Sequence, residues 1–196
     1  MDKIDSLDKI NALVSDIRSL RKGYLTNFFL DRKKHSLWIE KGELFYVSFP
    51  DCYFLLHLTN SVNNLFFITT TSQQLAENLK AFLPIFAEQM VVDIVGDAKI
   101  VDLKDVFVEQ GFSVYEQLYR MNRIGTLEFK EIDTPNVCFA EDVDAQVVLD
   151  MLHSYFDPLS EQLPSYEEIL YFISQKSVLV YKEAGKVYGF VIFELN

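Results

Sequence analysis

The residues best equipped for chemistry are few and widely spaced. His35, His57 and His153 have no second histidine four positions away, so the helical spacing that lets two imidazoles share a zinc ion is missing and no metal site is expected. Cys52 and Cys138 are far apart, without the close spacing of a metal knuckle or redox pair, and read as reduced, mostly buried thiols. No Ser-His-Asp, Cys-His or phosphate-loop arrangement is present. What remains is a hydroxyl-rich turn, Thr69-Thr-Thr-Ser-Gln-Gln74, just before an apolar-periodic run. Thr70, Thr71 and Ser72 could aim main-chain N–H groups at a phosphate. The competing reading is helix capping, with Thr71 and Gln74 at the spacing of a capping box. Arg32-Lys-Lys-His35 is a basic run that reads as a solvated surface loop or, alternatively, as an anion contact. Trp38 reads as core.

Elements must hold these residues in place, and periodicity locates them. Ile4, Leu7, Ile10, Leu13, Val14, Ile17 and Leu20 recur at three- and four-residue steps, which predicts an amphipathic helix packed on the domain behind it and ended by Gly23. Leu37–Glu40 and Leu44–Val47 flank Lys41-Gly42 and read as a β-hairpin. Strands follow at Tyr53–Leu58 and Leu65–Thr69, then a helix from Thr71 to Phe86 that Pro84 kinks or ends. Met90–Val95 reads as a buried strand, 100–110 as a helix stopped by Gly111, and Phe112–Met121 as a long bulged strand. The stretch from Ile124 to Pro135 has weak periodicity and reads as a boundary. Beyond it come a strand at Asn136–Phe139, a helix from Ala140 to Tyr155, a turn at Phe156–Ser160, and a helix opened by Ser165 with Glu168 three residues on. A hairpin of Ser177–Tyr181 and Val187–Leu195 closes the chain. The resulting organisation is 1–22 as an N-terminal helix, 23–126 as one domain and 127–196 as a second, shorter one.

The chain has 196 residues, of which 49% are apolar and 24% charged, a balance that excludes wholesale disorder. A net charge of −11 has the wrong sign for general phosphate-backbone binding, so no nucleic-acid partner is expected. No run of eighteen apolar residues exists, so no membrane span is expected. The charged N-terminus has no apolar signal-peptide core, which points to the cytoplasm.

Ala140-Glu-Asp-Val-Asp144 after a strand, and Ser177-Val-Leu-Val-Tyr-Lys-Glu-Ala-Gly-Lys-Val-Tyr-Gly-Phe-Val191 for the closing hairpin, resemble the first half of a GNAT acyltransferase domain. Val106-Phe-Val-Glu-Gln-Gly-Phe-Ser-Val-Tyr115 is similar to the helix-turn-strand that ends such domains. The resemblance covers about four-fifths of the chain and implies an α+β fold, a GNAT-like mixed, largely antiparallel sheet flanked by helices. It implies a tandem: one degenerate domain, then the β-α-α-β-β opening of another. It also implies acetyl-CoA as cofactor and acetyl transfer to an amine. GNAT enzymes hold the CoA pyrophosphate on a Gln/Arg-x-x-Gly-x-Gly/Ala turn, but no two of the seven glycines here are two positions apart. At the equivalent turn only Thr70, Thr71 and Ser72 remain as cofactor-binding candidates. The family's frequent general-acid tyrosine is matched by Phe107, which has no proton to give. In the second domain the resemblance places His153, Asp157 and Glu161 near the acceptor cleft, where carboxylates would attract an amine; a structural histidine and a solvated turn are the alternatives. No catalytic residue is assigned. Two readings follow, a GNAT N-acetyltransferase or the N-terminal part of one, and a catalytically silent scaffold for dimerisation or partner binding. If the chain is complete, the apolar strand edge at 187–195 invites a homodimer; if it is a piece of a longer protein, the acetyl-CoA loop would lie past Asn196.

Overall fold

The computed structural model describes residues 1–86, 88–95, 98–117 and 134–193, with the backbone alone at 98–101. The chain divides into two compact units, Met1–Tyr115 and Glu116–Asn196. Both are α+β, built on largely antiparallel sheets flanked by helices.

The first unit runs β1 (Asp2–Lys3), α1 (Leu7–Ser19), β2 (Leu25–Thr26), α2 (Arg32–Lys41), β3 (Leu44–Phe49), β4 (Cys52–His57), β5 (Asn63–Thr69), α3 (Ser72–Phe82), β6 (Met90–Val91) and α4 (Ala98–Glu109). Its sheet has the order β1-β3-β4-β5-β2, antiparallel throughout, and β6 lies parallel to β5. The period-two alternation of the central strands sends side chains into two separate cores. Leu55, Phe66 and Ile68 meet Ile10, Leu13 and Ile17 of α1 and Trp38 of α2 on one face. Phe54, Leu56, Leu65 and Phe67 meet Leu75, Leu79 and Phe82 of α3 and Leu103 and Phe107 of α4 on the other. Helix α1 therefore belongs to the core of this unit.

Two expectations change here, for the same physical reason. Residues 32–41, expected to supply the first strand of a hairpin, form α2. Asp31 caps it by accepting hydrogen bonds from the Lys33 and Lys34 amides at 2.9 and 3.0 Å. Gly42, read as a hairpin turn, is instead a left-handed C-terminal cap (φ 73), with Gly42 N–H on the Ile39 carbonyl and Glu43 N–H on that of Trp38. The basic run therefore forms the first turn of a helix and is not a loop. The true partner of β3 is β4, across the tight Pro50-Asp51 turn. Phe112 was expected to open a long strand. Its N–H closes α4 on the Phe107 carbonyl, its ring packs 5.3 Å from the Phe107 ring, and Gly111 adopts φ 94 between them. Residues 112–117 carry no strand, and 118–121 lie outside the described residues. The buried strand expected over Met90–Val95 is shorter than read, and pairs only at Met90 and Val91. The boundary stretch expected at 124–135 falls almost wholly outside the described residues.

The second unit runs β7 (Val137–Phe139), a 3-10 turn at Asp142–Asp144, α5 (Ala145–Tyr155), α6 (Tyr166–Ser174), β8 (Val178–Glu183) and β9 (Lys186–Ile192). Its antiparallel order β7-β8-β9 repeats β1-β3-β4 of the first unit, with two helices following the first strand in both. Val148, Leu152, Ile169 and Ile173 cover one face of the sheet at Val178, Val180 and Val187. Two caps fix the helix starts. Ser165 and Glu168 form a reciprocal capping box, and Asp144 accepts from the Glu141 amide at 2.8 Å while pairing with Lys182 at 2.7 Å.

Helix α6 ends with the same cap geometry as α2 and α4, but with Lys176 in the left-handed position at φ 54. A side chain there is strained relative to glycine. Lys176→Gly is expected to raise stability by about 1 kcal/mol, and Gly111→Ala to lower it by about 1 kcal/mol, since an added Cβ at Gly111 touches nothing and only the backbone resists. Urea midpoints at constant slope measure both.

Candidate functional site

The turn before α3 contains the three cofactor candidates. Thr71 is the N-cap: its hydroxyl accepts from the Gln74 amide at 3.2 Å and its carbonyl from the Leu75 amide at 3.0 Å. Gln74 does not complete the expected box, because its side chain turns to Glu77 and Asn78. Ser72 is exposed at the first helical position. Thr70 is buried, its amide donates to the Asp51 carbonyl at 3.3 Å, and its Oγ1 has no hydrogen-bond partner. Phe107, at the position of the missing general acid, is core, with its ring 5.9 Å from that of Phe67.

Beside this turn is a feature that the sequence did not disclose. β5 and β6 are parallel and pair only at Asn63–Met90 and Asn64–Val91, then part. The α1–α2 connection fills the opening. Leu25 and Thr26 pair antiparallel with Thr69 and Ile68. Thr26 Oγ1 donates to the Phe67 carbonyl at 2.5 Å and accepts from the Phe28 amide at 2.9 Å. Asn27, buried, spans the gap: its Nδ2 donates to the Leu65 carbonyl at 3.3 Å and the Asp93 carbonyl at 3.0 Å, and its Oδ1 accepts from the Phe67 amide at 2.7 Å. The carboxamide thus stands in for strand rungs between two main chains that no longer reach one another. Gly23 is required at the start of this connection, because a Cβ there would sit 2.5 Å from the Thr70 carbonyl oxygen. A lone Thr-Asn pair inside the apolar run Tyr24–Leu30 was the only available sequence signal.

The acceptor-cleft candidates belong to the second unit, His153 on α5 and Asp157 and Glu161 in the turn that follows it. His153 is exposed in the last turn of α5, so the alternative of a structural, buried histidine does not hold. Asp157 is spent on its own turn: its carboxylate accepts from the Leu159 amide at 2.9 Å, and its carbonyl from the amides of Ser160 and Glu161. The structure thus gives Asp157 and Glu161 a turn-building role alongside any attraction for an amine.

Of the remaining histidines, His57 lies flat on Trp38 (3.7 Å between centroids, 7°), with its Nε2 3.2 Å from Glu43. His35 is buried between Phe28 and Trp38 and accepts the Asp31 amide on Nδ1 at 2.9 Å. Cys52 is buried and its thiol is pushed up to about 12 by loss of hydration, whereas Cys138, expected to be mostly buried, is exposed. Among the described residues no group of three or more His, Cys, Asp or Glu side chains could hold a metal, and no helix is long and apolar enough to cross a membrane. No family model matches the chain, and neither a curated protein nor a solved structure shows significant similarity to it.

Burial, reinforced by the Lys34 charge, lowers the His35 pKa to about 4, so the folded protein favours the neutral ring. That contribution is fully present above the unfolded value near 6.5 and is lost as pH falls toward 4, a change on the order of 3 kcal/mol. His35→Gln is expected to flatten the acid limb of stability below pH 6.5 relative to the parent protein, as read by urea midpoints across pH 4–8.

Proposed function

We propose that the first unit is a GNAT-like module retained as a scaffold, and that it does not itself transfer an acetyl group. The observation that carries this reading is the opening between β5 and β6 filled by Asn27. Parting parallel strands leave main-chain donors and acceptors that the amide-bearing arm of coenzyme A could use; here Leu65, Phe67 and Asp93 already give theirs to Asn27. The turn before α3 supports it as well, since it holds no glycine to admit a pyrophosphate and its Gln74 amide is capped by Thr71. Phe107 adds a third element, a phenyl ring in the core where proton donation would be needed. The scaffold acts in the cytoplasm, through protein contacts and not through nucleic acid or membrane. The second unit supplies the contact surface of the chain, the outer edge of β9, where Tyr188 and Val191 stand exposed on the last strand of its sheet; residues 194 and 195 of the expected edge lie outside the described residues. A homodimer formed by that edge is the corresponding assembly.

Acetyl transfer from acetyl-CoA to an amine is the second reading, and two observations favour it. The β-α-α-β-β order of the second unit recurs at the start of the first, with the two-residue β2 inserted between its helices, as in a tandem of such modules. The buried Thr70 hydroxyl without a partner lies in the turn where the resemblance places the cofactor phosphate. In that case main-chain N–H groups would polarise the thioester and the neutral amine would attack it directly.

Titration of millimolar acetyl-CoA into the full chain, followed by calorimetry and by amide chemical shifts, separates the two. No saturable heat and no shift at Thr70–Gln74 is the expected outcome. Saturable heat accompanied by shifts in that turn would replace the scaffold with the transferase.

A further inference from the structure

The α1–α2 connection has the features of a strap laid into a slot. Its strand is only two residues long, and isolated pairs of that length contribute little by themselves. The rest of its attachment comes from side chains: Asn27 makes three hydrogen bonds and the Thr26 hydroxyl donates one to main-chain groups, while Phe28 is buried with its ring 5.4 Å from that of Phe66. Its N-terminal end turns on two left-handed residues, Arg21 at φ 54 and Gly23 at φ 116. Past Phe28 it leaves the body at once, with Phe29 64% exposed. Thr70, whose carbonyl Gly23 approaches, keeps its hydroxyl buried with no hydrogen-bond partner. Beneath the strap, the Leu65 carbonyl, the Phe67 amide and carbonyl and the Asp93 carbonyl form a row of main-chain groups suited to an extended peptide.

We propose that this slot is a binding site for an extended peptide strand carrying an asparagine-like carboxamide, and that residues 23–28 are its intramolecular occupant with Asn27 as the latch. The proposal rests on the scaffold reading, since it makes the slot a place for protein contact instead of cofactor. Strand addition through main-chain bonds, with one buried side chain setting the register, is an established mode of peptide recognition. When the strap lifts, a partner strand takes the same rungs.

The test uses the full chain and a synthetic peptide of residues 23–30, Gly-Tyr-Leu-Thr-Asn-Phe-Phe-Leu, with no acetyl-CoA present. Asn27→Asp keeps the shape but replaces the Nδ2 donor by a carboxylate oxygen facing two carbonyls. Hydrogen exchange at the Phe67 amide is expected to rise roughly tenfold or more in this variant, and added peptide to restore protection. The same peptide with Asp in place of Asn is expected to leave exchange unchanged. Equal rescue by both peptides, or rescue by neither, would overturn the proposal. Should the variant not fold, the parent protein decides: exchange at Phe67 through a local opening, with a weaker urea dependence than the β3–β4 amides, supports the strap, and exchange in step with those amides rejects it. The acetyl-CoA titration is independent of these outcomes, so a failure of the strap and a failure of the scaffold reading are told apart.

Discussion

Two-sided burial of β4 and β5 is the constraint on which the first unit depends. Phe54, Leu56, Leu65 and Phe67 go to one core while Leu55, Phe66 and Ile68 go to the other, all of them buried. A one-residue slip would exchange the two sets of side chains and leave both helix layers without their partners, so the register admits no alternative. Helices α1 and α2 on one side and α3 and α4 on the other then follow from the need to cover both faces. The continuous apolar runs Phe54–Leu56 and Leu65–Ile68 are what such a position requires of a strand.

The same constraint creates the problem that Asn27 solves. A fully buried strand cannot leave N–H and C=O groups unmet, yet β6 departs from β5 after two residues. A single carboxamide supplies a donor on one side and an acceptor on the other, in a place where water would otherwise have to enter. Its bonds replace the desolvated peptide groups' lost partners, and deleting them would expose the cost of those groups more than it would remove any gain. The strap is thus both a structural closure and the reason the opening holds no ready space for another molecule.

Legibility followed the range of the signals. The helices α1, α3, α5 and α6 were readable because periodicity and caps such as Thr71, Ser165 and Glu168 are local. The strands β4, β5, β8 and β9 were readable because their apolar runs are bounded by turns. Helix α2 was misread because Leu37-Trp38-Ile39 is consecutive and apolar, as in a strand, while the decisive marks, Asp31 and Gly42, stand at its two ends. Phe112 looked like the start of a strand because its commitment to the cap of α4 shows only in three dimensions. Asn27 was unreadable for a deeper reason: its partners lie 38, 40 and 66 residues away, and no spacing rule within the segment encodes them. The hydroxyls at Thr70, Thr71 and Ser72 are alike in the sequence, and only the packing of the turn divides them into a buried, a capping and an exposed residue.

The contrast between the two cysteines gives the chain a built-in reporter. Cys52 lies at the turn end of β4, fully enclosed and held as a thiol, while Cys138 stands in the open on β7. Alkylating reagents act on the thiolate, so a fluorophore added under native conditions attaches to Cys138 and leaves Cys52 untouched. A second, differently coloured reagent would then mark Cys52 only in molecules whose first unit has come apart. One chain, without any engineered residue, therefore carries one colour that counts every molecule and another that counts only those whose first unit has opened.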